Sequence, residues 1–520
     1  MNPEPAPQYY PNNIQPVEVT RENLLQALKE LRVATRRGAE LVEQFNLPDP
    51  EGELGLFMGV PGSYGVGAAL AFQRLHHQVL SLREKHDANP PNYQKLANER
   101  ITKLGRNLPL LPGRLSPLGS SGPLAMIMLR IQQAAVLGTS VSDADVHCLR
   151  EAVTIALSYE HIVSESNHNV GGDGILYGRA GLLWSILNVR VLPLDEASTN
   201  ALRPIFEAVP QLIRAIIDAG RQGVQDYTRK YGSVDALPLM WTWMESHYGL
   251  GAVHGMSGIL AVLLACNPEE LSADDNYLSW IAGTIVGLCR LCIANQGYLP
   301  TSLPSYGSNS QRDTSLVQIC HGSPAILLLL ACARRNSFFV SKFWQPEWDQ
   351  AVFLAAEKVW QERLVSKGDG ICHGIAGNAW PLLILHDSCE YDVDLLQAAR
   401  GNPPAREPEP KLTGDYFLSR ALALLLHARE APPYNPSREL SPCCYRASDR
   451  PYSLSEGLAG TVCAWAEACV TIQARLRKMD LEEENASSTV VLKNDELFQA
   501  LDSRNLGLPT LAYYRPPGIL

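Results

Sequence analysis

The stretch GIAGNAWPLLIL, residues 374–385, places two glycines three positions apart in front of an apolar run. A Gly-x-x-Gly or Gly-x-x-Ala step followed by apolar residues occurs seven times in the chain. The spacing between copies is 52 to 83 residues, and the copies begin at Gly59, Gly119, Gly178, Gly255, Gly322, Gly374 and Gly457. Each interval has room for an apolar helix, a return helix and loops, which indicates one repeat architecture rather than separate domains.

The repeat predicts an all-α fold, a closed α/α toroid of about seven inner and seven outer helices. Glycines at the starts of the inner helices allow the helix backbones to approach one another. The residues that precede each step would then lie together at one end of the barrel, its mouth. The alternative is that the Gly-x-x-Gly steps only reflect ordinary packing between helices. Seven copies in register disfavour this alternative. We divide the chain into a disordered tail (1–19), the toroid (20–475), and a charged mobile segment with a tail that docks on the barrel (476–520).

Composition excludes several classes of protein. The 520 residues are 46% hydrophobic with a net charge of -10, and no basic stripe suggests a nucleic-acid partner. We expect no transmembrane segment, because no apolar run reaches the roughly 18–20 residues needed to span a bilayer. The N-terminus shows no signal-peptide pattern. Twelve cysteines without regular spacing argue against a secreted disulfide scaffold and favour the reducing cytosol.

Two Cys-His-Gly steps carry the chemistry. Cys320 and Cys372 lie 52 positions apart, each directly followed by a histidine. Cys320, Cys372 and His373 would satisfy Zn²⁺ and leave a fourth position open for water or substrate. Adjacent residues on a helix diverge by about 100°, so Cys372 and His373 can share a metal only in a non-helical turn. The alternative is a pair of buried thiols with a capping histidine.

Other side chains would meet at the same mouth. His321 is either a fourth ligand, which would close the site, or a residue of the substrate pocket, which we prefer. His254 precedes Gly255 and is a candidate general acid or base, with a core histidine as the alternative. Asp173 is the carboxylate that we expect to be the partner of His254.

Further candidates flank other steps. Tyr177 and Arg179 lie on either side of Gly178, and Arg179 could hold an anionic group or form a plain ion pair. Lys367 would add positive charge near the thiolates, unless it is a solvated loop lysine. Glu456 precedes Gly457, and a structural role is its alternative to a role in the site. The CRLC pair, 289–292, lies in an apolar helical run without a second pair, so we expect it to be core.

These motifs resemble those of the lanthionine synthetase C-like (LanC-like) family, in its eukaryotic form. The resemblance runs in order from about Gly59 to Trp465. It rests on GSSGPLA (119–125), LYGRAGLL (176–183), HGMSGI (254–259), CHGSP (320–324), GICHGIAGNA (370–379) and YSLSEGLAGT (452–461). Ile319 stands where the family has Trp and Ala325 where it has Gly, and neither departure removes a ligand.

The resemblance implies a seven-repeat toroid with one zinc held by Cys320, Cys372 and His373. It implies acid/base or orienting roles for His254 and Asp173, and it raises the expectation that Lys367 belongs to the site. Family members add a thiol, from a peptide cysteine or from glutathione, to dehydroamino acids in a peptide or protein. Two alternatives stay open: a zinc-containing glutathione- or peptide-binding scaffold without turnover, and a glycoside hydrolase using the carboxylates of Asp173 and Glu456.

Overall fold

A computed structural model describes most of the chain. The described residues are 7–11, 13–45, 65–83, 91–103, 109–119, 123–165, 168–272, 274, 276–304, 316–392, 395, 398, 412–436, 445–446, 448–484, 489–511 and 513–520. The first repeat step up to Tyr64, the Pro-rich loop 401–411 and part of the loop 431–441 lie outside them. Helices make up 63% and strands 4% of the described residues, so the prediction of a mainly helical protein is confirmed.

The helices and strands follow one another along the whole chain. In order they are α1 (Arg21–Phe45), α2 (Gly65–His77), α3 (Val79–Leu82), α4 (Tyr93–Lys103), α5 (Leu124–Leu137), α6 (Asp143–Ala156), β1 (Ile162–Glu165), β2 (His168–Gly171), α7 (Arg179–Arg190), α8 (Glu196–Glu207), α9 (Val209–Tyr231), β3 (Tyr248–Gly249), α10 (Met256–Leu264), α11 (Pro268–Leu271), α12 (Tyr277–Ala294), β4 (Ser302–Leu303), α13 (Ser323–Arg335), α14 (Ser337–Phe343), α15 (Pro346–Glu362), α16 (Ile375–Tyr391), α17 (Gly414–His427), α18 (Leu458–Glu483), α19 (Thr489–Asn494) and α20 (Glu496–Asp502).

Each repeat step is followed by a buried helix: α2, α5, α7, α10, α13, α16 or α18. In five of them the N-cap residue is the first glycine of the step, as the sequence pattern predicts. Helix α10 (MSGILAVLL) is buried at every position, because it has no polar face to present to solvent. These helices contact one another in chain order, and α18 also contacts α2.

The amphipathic helices pack against these seven. Helix α1 lies against α18, α4 against α2, α9 against α7, α15 against α13 and α17 against α16. In α9 the buried residues recur every three or four positions, which gives one apolar face. Helix α9 therefore contacts its neighbours through a single side.

Helix α12 corrects one prediction about membrane segments. Its 18 residues have a mean hydropathy of 1.6, which is long and apolar enough to cross a bilayer by length and composition. More than half of the helix is buried against neighbouring helices, including Cys289 and Cys292. The expectation that no apolar run reaches a spanning length is therefore wrong for α12, whose apolar residues pack in the core.

The N-terminal segment is held against the helical body over its described residues, which differs from the predicted disorder of 1–19. The Tyr10 amide donates to the Leu364 carbonyl at 2.8 Å, and the Ser366 amide donates to the Gln8 carbonyl at 3.0 Å. Ile14 and two valines pack on the core. These apolar residues are spaced between the prolines and asparagines that suggested disorder.

The C-terminal segment also packs into the body. Helix α18 continues to Glu483, through part of the stretch predicted to be mobile. Beyond α20, Leu511, Tyr513 and Leu520 are fully buried. The buried Arg74 guanidinium donates to the Leu520 carbonyl at 2.8 Å.

Two short antiparallel pairs complete the fold. Strands β1 and β2 form a hairpin, and β3 pairs with β4. Val170 of β2 also pairs with Met244, and the Gly171 amide donates to the Trp243 carbonyl at 3.1 Å. The hairpin is thereby attached to the segment that leads into β3. No disulfide bond joins any of the ten described cysteines.

Candidate functional site

The loops that precede the buried helices are joined by backbone hydrogen bonds. The Ala252 amide donates to the Ile319 carbonyl at 3.1 Å, and the Cys320 amide donates to the Cys372 carbonyl at 3.2 Å. The Cys372 amide donates in turn to the Ser455 carbonyl at 2.8 Å. A series of bonds thus runs across the starts of α10, α13, α16 and α18 and sets the distances between these loops.

Glycines make this close approach possible. A Cβ atom at Gly251 would lie 1.8 Å from the Cys320 carbonyl oxygen, so a side chain there would push the two loops apart. Gly322, at the start of α13, has a φ of +111°, a conformation that L side chains rarely adopt. The glycine of the first Cys-His-Gly step is therefore required by the turn that presents Cys320.

Cys320, Cys372 and His373 form a compact cluster. One ligand atom of each, the two Sγ atoms and a ring nitrogen, all lie within 4.8 Å of one another. Zinc bonds sulfur and nitrogen at about 2.0–2.3 Å, which places the ligands around one ion about 3.5–4 Å apart. The ligand pair Cys372 and His373 lies in a turn before α16, as sharing one metal requires.

The donor set of this cluster suits zinc. Two thiols and one imidazole are a common zinc ligand set, and three protein ligands leave room for a fourth. Both thiols are buried, while the imidazole is half-buried. His321 is not part of the cluster formed by the described residues.

The two thiols also perturb each other. Their mutual hydrogen bond sets the pKa of Cys320 well below its usual range and the pKa of Cys372 well above it. His373 further favours the thiolate of Cys320, and Cys320 Sγ lies 3.6 Å from Gln318 Oε1. Thiols bind metals in the deprotonated form, and one of this pair already favours that form.

Beside the cluster, three rings pack together: His254, His321 and Trp243. The two imidazoles are stacked with their centroids 4.9 Å apart. The indole centroid is 5.3 Å from that of His254 and 5.2 Å from that of His321. Burial lowers the pKa of His254 to about 4 and also lowers the pKa of His321. Both rings are therefore neutral near pH 7.

Asp173 and Arg179 form an ion pair with each other. Asp173 Oδ1 lies 2.7 Å from Arg179 Nη1, and both side chains are buried. Arg179 also donates to the carbonyls of Ala156, at 2.8 Å, and Tyr159, and it lies over the Tyr159 ring. Burial raises the pKa of Asp173 to about 6, and the neighbouring guanidinium opposes this shift. A substrate role for Arg179 stays a prediction that would require some of these contacts to break.

The remaining candidates lie around the same mouth. Tyr177 lines a cavity together with His254, and the Arg114 guanidinium lies 3.7 Å from its ring centroid. Lys367 is exposed and lies near enough to the cluster to oppose the raised pKa of Cys372. Glu456 is 3.4 Å from Arg450.

Three residues of this region do not follow from the sequence motifs: Trp243, Arg114 and Gln318. Trp243 belongs to the aromatic-rich stretch WTWMESHYG, 241–249, which was a usable signal because such rings rarely occur in irregular loops without packing on something. Gln318 is two positions before Cys320. Arg114 is in a loop without any motif, and only the fold brings it to Tyr177.

A second group of possible ligands, His386, Glu390 and Asp415, has a different character. Its ligand atoms also lie within 4.8 Å of one another. However, Lys478 Nζ lies 2.7 Å from Glu390, and Arg475 Nε lies 3.0 Å from Asp415. Because two cations already balance the carboxylates, we interpret this group as an ion-pair network.

Comparison with known proteins adds an independent observation. The family model described as lanthionine synthetase C-like protein matches residues 79–397, more than half of the chain. The matched range contains the whole Cys320–Cys372–His373 cluster and His254.

Two relatives come from eukaryotes. A Danio rerio protein named glutathione S-transferase LANCL1 is 28% identical over 290 residues, covering 56% of this chain and 57% of the relative. An Arabidopsis thaliana protein named LanC-like protein GCL1 is 29% identical over 306 residues, covering 58% of this chain and 56% of the relative. The match thus spans little more than half the length of each relative.

Proposed function

Because the chain belongs to the lanthionine synthetase C-like family, we propose that it is a zinc-dependent enzyme that adds a thiol to a dehydroamino acid. The thiol is that of glutathione or of a peptide cysteine, and the product is a thioether. The observation that carries the proposal is the cluster of Cys320, Cys372 and His373 beside the stacked imidazoles of His254 and His321. The name of the Danio rerio relative supports glutathione as the thiol donor.

We place this site at the mouth of an α/α toroid. The seven buried helices contact one another in chain order and α18 contacts α2, which supports a closed ring with the amphipathic helices outside. The hydrogen bonds between the loops before these helices support a common mouth at one end. We also place the protein in the cytosol, and the absence of disulfide bonds among the ten described cysteines is consistent with a reducing compartment.

Cys320, Cys372 and His373 would hold the zinc ion. When bound there, zinc supplies positive charge that keeps an entering thiol deprotonated near neutral pH. The exposed Lys367 adds a second positive charge at the mouth, where it can meet the carboxylates of glutathione. The chain's own contribution on this side is to hold and orient the donor.

The addition moves one proton and forms one bond. The thiol sulfur bonds to the β-carbon of the dehydroamino acid, and the alkene electron pair moves onto the neighbouring carbonyl as an enolate. The thiol's proton, taken up by the neutral His254, is returned to the α-carbon. No proton is gained or lost overall. Stacking on His321 and packing on Trp243 hold the His254 ring in place for this transfer.

Asp173 and Arg179 support this reaction as a buried pair. Both belong to the loop and helix start that also carry Tyr177, which lines the cavity beside His254. We propose that the pair fixes this loop and that Tyr177 contacts the acceptor. Arg179 could contact an anionic substrate only if its hydrogen bonds to Ala156 or Tyr159 open.

The same geometry bears on the rival functions. A glycoside hydrolase needs two carboxyl groups that reach the substrate, and Asp173 is 2% exposed in its pair with Arg179. That burial argues against Asp173 as one of them. A scaffold that binds zinc and a thiol without turnover uses the same cluster, so only an activity measurement separates it from the enzyme.

The test is incubation of the zinc-loaded protein with glutathione and a dehydroalanine peptide, followed by mass spectrometry. We expect a glutathione–peptide adduct that forms faster than without protein, and metal analysis that gives one zinc per chain. Glutathione binding without acceleration would support the scaffold. If the protein neither binds glutathione nor forms the adduct, the proposal is overturned.

A further inference from the structure

A pocket of about 170 Å³ lies beside His254, on the side of the hairpin β1–β2. Val170 and Gly171 of the hairpin form one edge, and Trp243 and Met244 form another. Because the Gly171 amide bonds to the Trp243 carbonyl, these two edges are held together. The pocket is therefore a fixed feature of the site and shares His254 and Trp243 with the ring stack.

The lining of the pocket is mostly apolar and aromatic. Leu176, Val253, Ile259 and Trp241 belong to it, and none of the described lining residues is acidic. Arg114 is the one cationic side chain among them, and it lies over the Tyr177 ring. Such a surface gains from covering an apolar group and offers little to a strongly polar one.

We propose that this pocket holds the side chain of the residue next to the dehydroamino acid in the acceptor, and that this side chain is apolar or aromatic. The inference rests on the proposed function, because it uses His254 as the group that protonates the acceptor α-carbon. Consecutive α-carbons of a peptide lie 3.8 Å apart. When the dehydroamino acid is at His254, the side chain of its neighbour is therefore within reach of the pocket.

Size and polarity both favour this occupant over the thiol donor. Pockets for whole small molecules have volumes of about 300–1,000 Å³, so this one is of the size that a single side chain fills. Glutathione carries two carboxylates and a free amino group, for which the lining offers only Arg114. The donor thus fits the polar side of the site near Lys367, and the acceptor fits the apolar side.

Gly174 provides a way to test the pocket. It lines the cavity, and a Cβ atom added there would have no neighbour within 4 Å, so a larger side chain would extend into open space. Ala135 provides the matched control. It lines a different apolar pocket, with Val136, Leu192 and Ile519. Ala135→Leu therefore adds a side chain of the same type away from His254.

The experiment compares three dehydroalanine peptides that differ only in the residue beside dehydroalanine: Phe, Ala or Asp. With glutathione in excess, we expect kcat/KM to be about 10–100-fold higher for the Phe peptide than for the Ala peptide, and lowest for the Asp peptide. Gly174→Leu is expected to bring the Phe-to-Ala ratio close to 1, whereas Ala135→Leu keeps the wild-type ratio. Zinc content checks that each variant is folded.

The outcomes distinguish a failure of the pocket assignment from a failure of the proposed function. Equal rates for the three peptides would overturn the pocket assignment and leave the proposed function standing. A faster reaction of the Asp peptide would overturn it as well, since Arg114 would then dominate recognition. No adduct from any of the three would overturn the proposed function and this inference with it. If Gly174→Leu does not fold, Gly174→Val and the wild-type ratio decide.

Discussion

Replacing Asp173 with Asn removes the negative partner of a buried cation while it keeps the shape of the side chain. The side chains of Arg179 and Asp173 are 4% and 2% exposed and lie 2.7 Å apart. Removing one partner of a buried ion pair costs about 3–5 kcal/mol, because the other charge stays buried. Arg179 keeps its hydrogen bonds to the carbonyls of Ala156 and Tyr159, so we expect the lower end, about 3 kcal/mol.

Urea unfolding followed by circular dichroism measures this loss as a lower midpoint for Asp173→Asn. The control is Asp480→Asn, which removes one of the two carboxylate partners of Arg21, in a pair whose side chains are 39% and 42% exposed, and leaves the pair with Glu483. That change should cost less than about 1 kcal/mol. Removing both charges, with Asp173→Asn and Arg179→Met, should be less harmful than the sum of the single changes.

Wild-type stability of Asp173→Asn would refute this reasoning. If the thiol addition were lost at the same time, Asp173 would have to act on the substrate directly, as a catalytic carboxylate does. A stability loss with the activity of the remaining folded protein retained would instead place Asp173 and Arg179 in a structural role. The measurement thereby decides between the two roles that the sequence allowed for these residues.

Three further changes test the cluster and its surroundings. Cys372→Ala should lower zinc affinity by more than about 100-fold in a chelator competition, since even groups that only hydrogen-bond to metal ligands contribute about 10–100-fold. The control Cys292→Ala, which changes a buried cysteine of α12, should leave the zinc content unchanged. Stoichiometric zinc retained in Cys372→Ala would contradict the assignment. Gly251→Ala should move the Cys320 carbonyl by roughly 1 Å, because the new Cβ would lie 1.8 Å from the carbonyl oxygen. A displacement of about 1 Å at an active site lowers the rate by about 100-fold, so we expect that loss of activity. A fully active variant whose crystal structure keeps the Cys320 carbonyl in its wild-type position would disprove this. His254→Gln should keep zinc and lower kcat by about 10²–10⁴-fold, and an unchanged pH–rate profile with full activity would exclude His254 as the proton-transfer group.

The parts of the fold that sequence predicts are those with a local cause. A glycine followed by an apolar run specifies where a buried helix starts, and the helix begins there at Gly178, Gly255, Gly322, Gly374 and Gly457. Cys320 and Cys372 occupy the same position in two such repeats. Their proximity therefore follows from the repeat and needs no knowledge of side-chain packing.

Other features depend on contacts between distant segments. Whether Arg179 faces a substrate or Asp173 depends on the turn between them, and the spacing of six residues leaves both open. The N-terminal segment shows prolines and asparagines in sequence, yet Tyr10 finds a backbone partner in Leu364, more than 350 positions away. The apolar face of α12 is indistinguishable from a membrane segment until α15 is seen packed against it.

The two sides of the site are built from separate parts of the chain. The loops before α13 and α16 supply Cys320, Cys372 and His373, and backbone hydrogen bonds between the loops fix their spacing. The pocket beside His254 is built from the hairpin β1–β2 and residues 241–244, which are bonded to each other. Changes in the hairpin can therefore alter the proposed acceptor pocket without moving a residue of the Cys320–Cys372–His373 cluster. We expect substitutions at Val170 or Met244 to change which acceptor peptides react while the zinc content stays constant, because neither residue belongs to the metal-binding loops.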